Sequence, residues 1–485
     1  MNTITIRQIG IVAAGLLAGI IAARSAAAQP PNFVLVMADD QGWGDMAYQG
    51  HPRLHTPNFD AFSREGIRFD RFYAAAPVCS PTRGSVLTGR TPNRFGCFSW
   101  GRPLRPQEVT LAEVLQTAGY ATGHFGKWHL GSVQKGSPVS PGASGFDEWV
   151  SSPNFFDLDP ILSVQGRATQ FKGDSSDITV ELALKFIGRS LQQKRPFLAV
   201  VWFGSPHSPY RALESDRQRY LDLPEAEQNF YGEITAMDRA FGRLRQQLRE
   251  LGATTSTVLW YCSDNGALPK VGSTGGKRGF KGQIYDGGLL VPAILEWPGS
   301  LRQPQVIAVP GVTSDIYPTV LELAGVKPGP QPPLDGISLL PVLKGGRQER
   351  AKPIGFWQGG GGGIGVAAKE WMEELLAAQA RGEEPNDPLR LATDAGKIGA
   401  PVPLDRFPGH SAWLDWPLKL HRIENARTGA VTWELYDLAS DPAEAHDLRG
   451  KDDRRRPGMQ SALETWLKSV ARSLNGEDYG PAGRR

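Results

Sequence analysis

Asn32-Phe33-Val34-Leu35-Val36-Met37-Ala38-Asp39-Asp40-Gln41-Gly42-Trp43-Gly44 sets a nearly continuous apolar run against two adjacent carboxylates. So short a run, apolar at successive positions, predicts a strand buried on both faces of a parallel sheet. Sheets of that kind place their ligands at the carboxyl ends of the strands, which is where Asp39 and Asp40 fall. Side by side, two carboxylates repel one another unless a cation lies between them. Two later stretches share the design. Residues 196–203 (P-F-L-A-V-V-W-F) run into Gly204-Ser205-Pro206-His207-Ser208-Pro209, and residues 255–261 (T-S-T-V-L-W-Y) run into Cys262-Ser263-Asp264-Asn265-Gly266. Amphipathic helices are predicted between them at 110–119, 177–191 and 230–251. The last carries Ile234, Met237, Phe241, Leu244 and Leu248 as a core stripe. Strands alternating with helices predict an α/β fold.

Three other stretches carry chemistry. Cys79-Ser80-Pro81-Thr82-Arg83-Gly84-Ser85-Val86-Leu87-Thr88-Gly89-Arg90 leads into a helix predicted from 84–90, whose N–H groups suit an anion. Gly126-Lys127-Trp128-His129-Leu130-Gly131 places a cation beside an imidazole. Residues 272–288 (G-S-T-G-G-K-R-G-F-K-G-Q-I-Y-D-G-G) are dense in glycine, which permits close approach of backbone to a ligand. Residue chemistry alone leaves bland alternatives open. Cys79 suits a small buried thiol, Lys127 and His129 a solvated loop pair, and His207 a turn residue. Lys277 and Arg278 read as solvated flanking charges, and His124 reads as structural. Thr56-Pro57 marks a helix start, with Thr56 as cap and Pro57 at the first position.

Together these stretches resemble the type I, formylglycine-dependent sulfatases. C-x-P-T-R followed by L-T-G-R matches that family's first signature and G-K-W-H-L-G its second. The resemblance implies that Cys79 is oxidised to formylglycine by a maturation enzyme and that Arg83 orients the hydrate. It implies that Lys127 contacts formylglycine and sulfate oxygens, and that His129 takes a proton during elimination. His207 becomes the general acid for the leaving alcohol, and Lys281 a contact to the sulfate ester. Asp39, Asp40, Asp264, Asn265 and the modified Cys79 become metal ligands. Hard oxygen donors of this kind favour Ca2+, with Mg2+ possible, over zinc. Asp286 stands where the family usually has glutamate. The implied fold is an alkaline-phosphatase-like mixed sheet flanked by helices, with a smaller C-terminal α+β subdomain. The implied reaction is hydrolysis of an aryl or carbohydrate sulfate monoester. Two alternatives stand beside it: a phosphonate monoester hydrolase or phosphodiesterase, and a non-catalytic binder of sulfated glycans if Cys79 is never converted.

Composition bounds the rest. A net charge of +3 over 485 residues, with 21% charged, gives no electrostatic case for nucleic acid. Residues 1–28 read as a signal peptide: Arg7, an apolar stretch, then Ala26-Ala27-Ala28. An exported protein handled by the export machinery is therefore expected, periplasmic or secreted, with no membrane span in the mature chain. Residues 29–350 read as the catalytic domain and 351–485 as the C-terminal subdomain with a Gly-rich insert. In the insert, 359–363 is a glycine tract and 366–380 an amphipathic helix. Residues 150–175 read as irregular and, with 358–412, as the segments that choose the alcohol. Strands are expected at 413–422 and 433–438, a final helix at 459–474, and His446 as structural. Cys97 and Cys262 are either paired or free.

Overall fold

The computed structural model describes residues 30–359, 361–450 and 454–480; the signal peptide expected at 1–28 lies outside them. Among the described residues, eleven strands form one mixed sheet. They are β1 Asn32–Ala38, β2 Ile67–Tyr73, β3 Ala121–Lys127, β4 Glu148–Ser152, β5 Ile161–Val164 and β6 Arg167–Gln170. The rest are β7 Phe197–Trp202, β8 Thr257–Ser263, β9 Leu290–Glu296, β10 Gln305–Ile307 and β11 Gly311–Val312. Their order is β10-β2-β9-β8-β1-β7-β3-β4-β5-β6, with β11 also on β2. The middle, β8-β1-β7-β3-β4, is wholly parallel. In register, Ala38 lies opposite Ser263, Met37 opposite Trp202, and Gly126 opposite Trp202. Four neighbouring strands therefore end at one level, and their following residues share one edge.

Successive side chains of a strand point to opposite faces, and both faces of this sheet are covered. Phe33, Leu35 and Met37 join one buried cluster, while Val34, Val36 and Ala38 join the other. The second lies under helices Pro57–Glu65, Ser175–Gln192 and Glu225–Glu250, whose Phe59, Phe186 and Phe241 it contains. Pro57 opens its helix as expected, but the Thr56 side chain does not cap it. The Thr56 hydroxyl instead bridges Ala47 N–H and the Asp60 carboxylate. Capping is supplied from another helix: Asp238 accepts from the backbone N–H of Asn58 and Phe59.

Residues 150–175 are not irregular throughout. β5 and β6 form a tight hairpin around Gln165 and Gly166, both at positive φ, the conformation two-residue hairpin turns require. The predicted strand at 413–422 is also a hairpin. Gly409–Asp415 (β13) and Leu418–Glu424 (β14) turn at Trp416-Pro417. With Ile354–Gln358 (β12) and Val431–Asp437 (β15) they form a separate antiparallel sheet, order β12-β13-β14-β15. Helix Arg456–Leu474 packs on it through Leu463, Trp466 and Leu467. The insert helix spans Ala368–Ala380. Cys97 and Cys262 are buried and free. No helix of the described residues is long and apolar enough to cross a membrane.

Phe241 stacks on Phe59 at 4.8 Å and tilts against Phe62 at 5.0 Å, all fully buried. Replacing Phe241 by Ala is expected to cost about 3–5 kcal/mol, read as a lower denaturant midpoint with an unchanged slope.

Candidate active site

The shared strand edge brings the charged residues together. Asp39 and Asp40 follow β1, Asp264 and Asn265 follow β8, Lys127 ends β3, and His207 lies in the turn after β7. Helix Cys79–Thr88 begins at Cys79 itself, not at residue 84, so the signature is helical up to its Gly89 cap and buried throughout. Cys79 Sγ lies 3.5 Å from Asp39 Oδ1 and 3.8 Å from Asp40 Oδ1. Burial pushes its thiol well above the ordinary range, so the unmodified side chain is a poor source of thiolate.

Each buried carboxylate meets a cation. Lys127 Nζ is 2.6 Å from Asp39 Oδ2, and Lys281 Nζ is 2.7 Å from Asp40 Oδ2. Arg83 directs Nε (3.1 Å) and Nη2 (2.6 Å) onto Asp264 Oδ2, and its Nη1 donates to the Lys127 carbonyl. The Arg83 guanidinium therefore rests on Asp264, with Cys79 as a neighbour, and lies 5.2 Å from the Trp202 ring. Burial pushes Asp264 up to about 6 although Arg83 opposes it. Burial acts the same way on Asp40, but Lys281, His207 and Lys127 outweigh it and hold Asp40 below the usual range.

Asp39, Asp40, Cys79 and His207 offer ligand atoms within 4.8 Å of one another. Residue chemistry alone read His207 as a turn residue and the family resemblance assigned it to proton transfer; neither placed it in this cluster. Asp264 Oδ1 accepts from Asp40 N–H, and Asn265 Nδ2 donates to Asp40 Oδ1 at 2.9 Å. Asn265 Oδ1 is buried with no partner, a costly state that an added cation would relieve. The residues thus fit a hard divalent ion. His129 is buried with both ring nitrogens unpartnered, and burial together with Lys127 and Arg83 keeps it neutral. His207 Nδ1 lies 2.6 Å from the Ser208 carbonyl, and Nε2 lies 3.6 Å from Asp40. Asp40 and His129 both adopt positive φ, strain of the kind that gathers at functional sites.

A sulfatase family model matches residues 31–326, more than half of the chain. The chain belongs to the sulfatase family. It is 33% identical over 381 residues to canine (Canis lupus familiaris) N-acetylgalactosamine-6-sulfatase, covering 69% of each protein. With human (Homo sapiens) arylsulfatase A it shares 32% identity over 507 aligned positions, 95% of this chain and 92% of the other. The solved structure of Ps i-CgsB in complex with k-i-k-neocarrahexaose superposes with a TM-score of 0.74 at 21% identity, covering 92% of this chain and 98% of that one. The protein is a sulfuric ester hydrolase of alkaline-phosphatase-like fold.

In this sulfatase a second buried network holds the Lys281 loop. Asp286 accepts from Lys419 Nζ at 2.7 Å and from the Tyr73 hydroxyl at 3.2 Å. Lys419 also pairs with Glu444 at 3.0 Å, and Glu444 bonds His421 and the Asp286 N–H. The shorter Asp286 carboxylate is thus supported by a lysine of the small sheet. Lys419 and His421 point inward on β14, a polar-at-core pattern that was the available signal for this network. Arg278 is not a plain surface charge: it stacks over Tyr285 at 3.8 Å and donates to the Tyr436 hydroxyl. Lys277 lies over the Trp43 ring at 4.5 Å. His446, expected to be structural, is exposed beside Asp441; Glu444 takes the buried place. His124 bonds Ser151 and packs among Trp128, Phe146 and Trp202.

Lys419→Ala strands two buried carboxylates and is expected to cost about 3–5 kcal/mol. Burial already pushes Asp286 above the usual carboxylate range in spite of Lys419. Acid protonates the stranded Asp286, so the variant's deficit in chemical denaturation should shrink as pH falls.

Proposed function

We propose that this sulfatase cleaves an aryl or carbohydrate sulfate monoester through a formylglycine made from Cys79, with a divalent cation, Ca2+ or Mg2+, held by Asp39, Asp40, Asp264, Asn265 and the modified Cys79. The observation that carries the reading is the convergence of Arg83, Lys127 and Lys281 on carboxylates around a buried Cys79. The orphaned Asn265 oxygen supports the metal assignment. The bound ion would supply Lewis acidity and hold negative charge at the sulfuryl group. The aldehyde hydrate would supply one hydroxyl to attack sulfur and a second whose deprotonation expels sulfate.

The chain's own residues do the rest. Lys127 and Lys281 bind the sulfate oxygens, with Lys281 toward the bridging oxygen. Arg83 sets Asp264, which manages the proton of the attacking hydroxyl. His207 is held by the Ser208 carbonyl so that Nε2 faces the centre and donates to the leaving alcohol. Burial pushes His207 down to about 3; an incoming sulfate ester brings negative charge that raises it. Neutral His129, with free ring nitrogens, takes the proton in the elimination. The leader-like residues 1–28 support export, to the periplasm or outside the cell, and a formylglycine-generating enzyme as maturation partner.

Coexpression with such an enzyme should lower the mass of the Cys79 peptide by about 18 Da, the change from thiol to aldehyde, and give release of sulfate from 4-nitrophenyl sulfate. An unmodified thiol in competently matured protein would sink the mechanism. Faster release from the matching phosphate ester would move the reading to a phosphoryl hydrolase. Lys281→Ala should lower kcat by about 10²–10³. Chelation should remove activity, and added Ca2+ or Mg2+ should restore it.

A further inference from the structure

A cavity of about 540 Å³ adjoins the centre, within the size range of small-molecule sites. Two contacts join it to the residues above. Its wall residue Phe155 stacks on the His207 ring, centroids 4.5 Å apart and planes 12° apart. Its wall residue Ser152 lies opposite Lys127 in the β3–β4 register. Phe155, Ile161 and Val366 give it apolar surface. Part of the wall comes from the insert, at Val366 and the start of helix Ala368–Ala380, and the Asn154 side chain donates to the Val366 carbonyl at 3.2 Å.

The charges of this cavity differ in kind from those of the sulfate centre. Arg211 is engaged by Asp157 at 3.5 Å, and Asp159 is engaged by Lys172 from outside the cavity. That leaves Glu370 and Glu373 against Lys369 on the insert helix, all exposed. The lining therefore holds no set of convergent cations like Arg83, Lys127 and Lys281. A second sulfate or carboxylate on the substrate would meet carboxylates there. Hydroxyls would meet acceptors, and the face of a ring would meet Phe155.

We infer that this cavity receives the alcohol half of the substrate and selects a ring whose only charge is the ester sulfate, with Glu370 and Glu373 turning away a second anionic group. The inference rests on the reading that the Cys79 centre holds the sulfate. It assigns the choice of alcohol to a helix whose sequence is outside the catalytic signatures.

The test compares 4-nitrophenyl sulfate with 3-carboxy-4-nitrophenyl sulfate on matured protein at low ionic strength. The uncharged ring should have the higher kcat/KM. Glu370→Gln with Glu373→Gln should narrow that preference about three- to tenfold, the scale of two partly screened charges. The change should appear in KM for the carboxylated ester and fade in high salt. Ile161→Trp, which narrows the cavity, should raise KM for both esters while leaving inhibition by inorganic sulfate unchanged. A preference for the carboxylated ester, a ratio unmoved by the glutamine pair, or a KM indifferent to Ile161→Trp would each overturn the inference. Calorimetry of both esters on Cys79→Ala protein reads the same discrimination without turnover. Absence of hydrolysis with the binding preference intact would thus condemn the chemistry and leave the cavity assignment standing.

Discussion

Three carboxylates buried from solvent cannot crowd one sheet edge unless cations join them. Asp39, Asp40 and Asp264 are fully buried at one sheet edge, and Lys127, Lys281 and Arg83 neutralise them one for one. The desolvation of each charge is costly, and mutual attraction offsets it only where geometry and hydrogen bonding are good. Removing one partner would leave the other exposed to that cost. The centre is therefore held as a set, and the elements that deliver its members are constrained together.

The sheet meets that constraint through register. β8, β1, β7 and β3 are parallel neighbours whose ends are level, so residues more than two hundred positions apart emerge side by side. Lys281 comes from no strand. Its loop is fixed instead by the Asp286–Lys419–Glu444 network, which pins it to the small sheet. The C-terminal sheet is thus part of how the centre is positioned, although its Lys419 does not reach the centre. The insert plays a different part, walling a cavity that shares Phe155 with His207.

Much of this was legible in residue order. Apolar runs ending in Asp39-Asp40, His207 and Asp264-Asn265 announced buried strands with chemistry at their carboxyl ends, because a strand buried on both faces has no polar alternation to disguise it. The cysteine signature and G-K-W-H-L-G named the family and the residues the structure brings together. Local errors came where long-range contacts override local chemistry. Thr56 looked like a cap, but Asp238, from a helix far along the chain, supplies those bonds. The hairpin at Gln165-Gly166 lay within a stretch read as irregular, because its strands are only four residues each.

By itself the sequence determined the α/β alternation, the family and which charged residues follow the buried strands, since these follow from hydrophobic period and from motifs of adjacent residues. Tertiary structure alone decided the pairings: Arg83 with Asp264, Asp286 with Lys419, His207 with Phe155, and the Asn265 oxygen left without a partner. Each pairing joins positions dozens to hundreds of residues apart. Charge partners are set by distance in a medium of low dielectric, and only the folded sheet brings those distances into being.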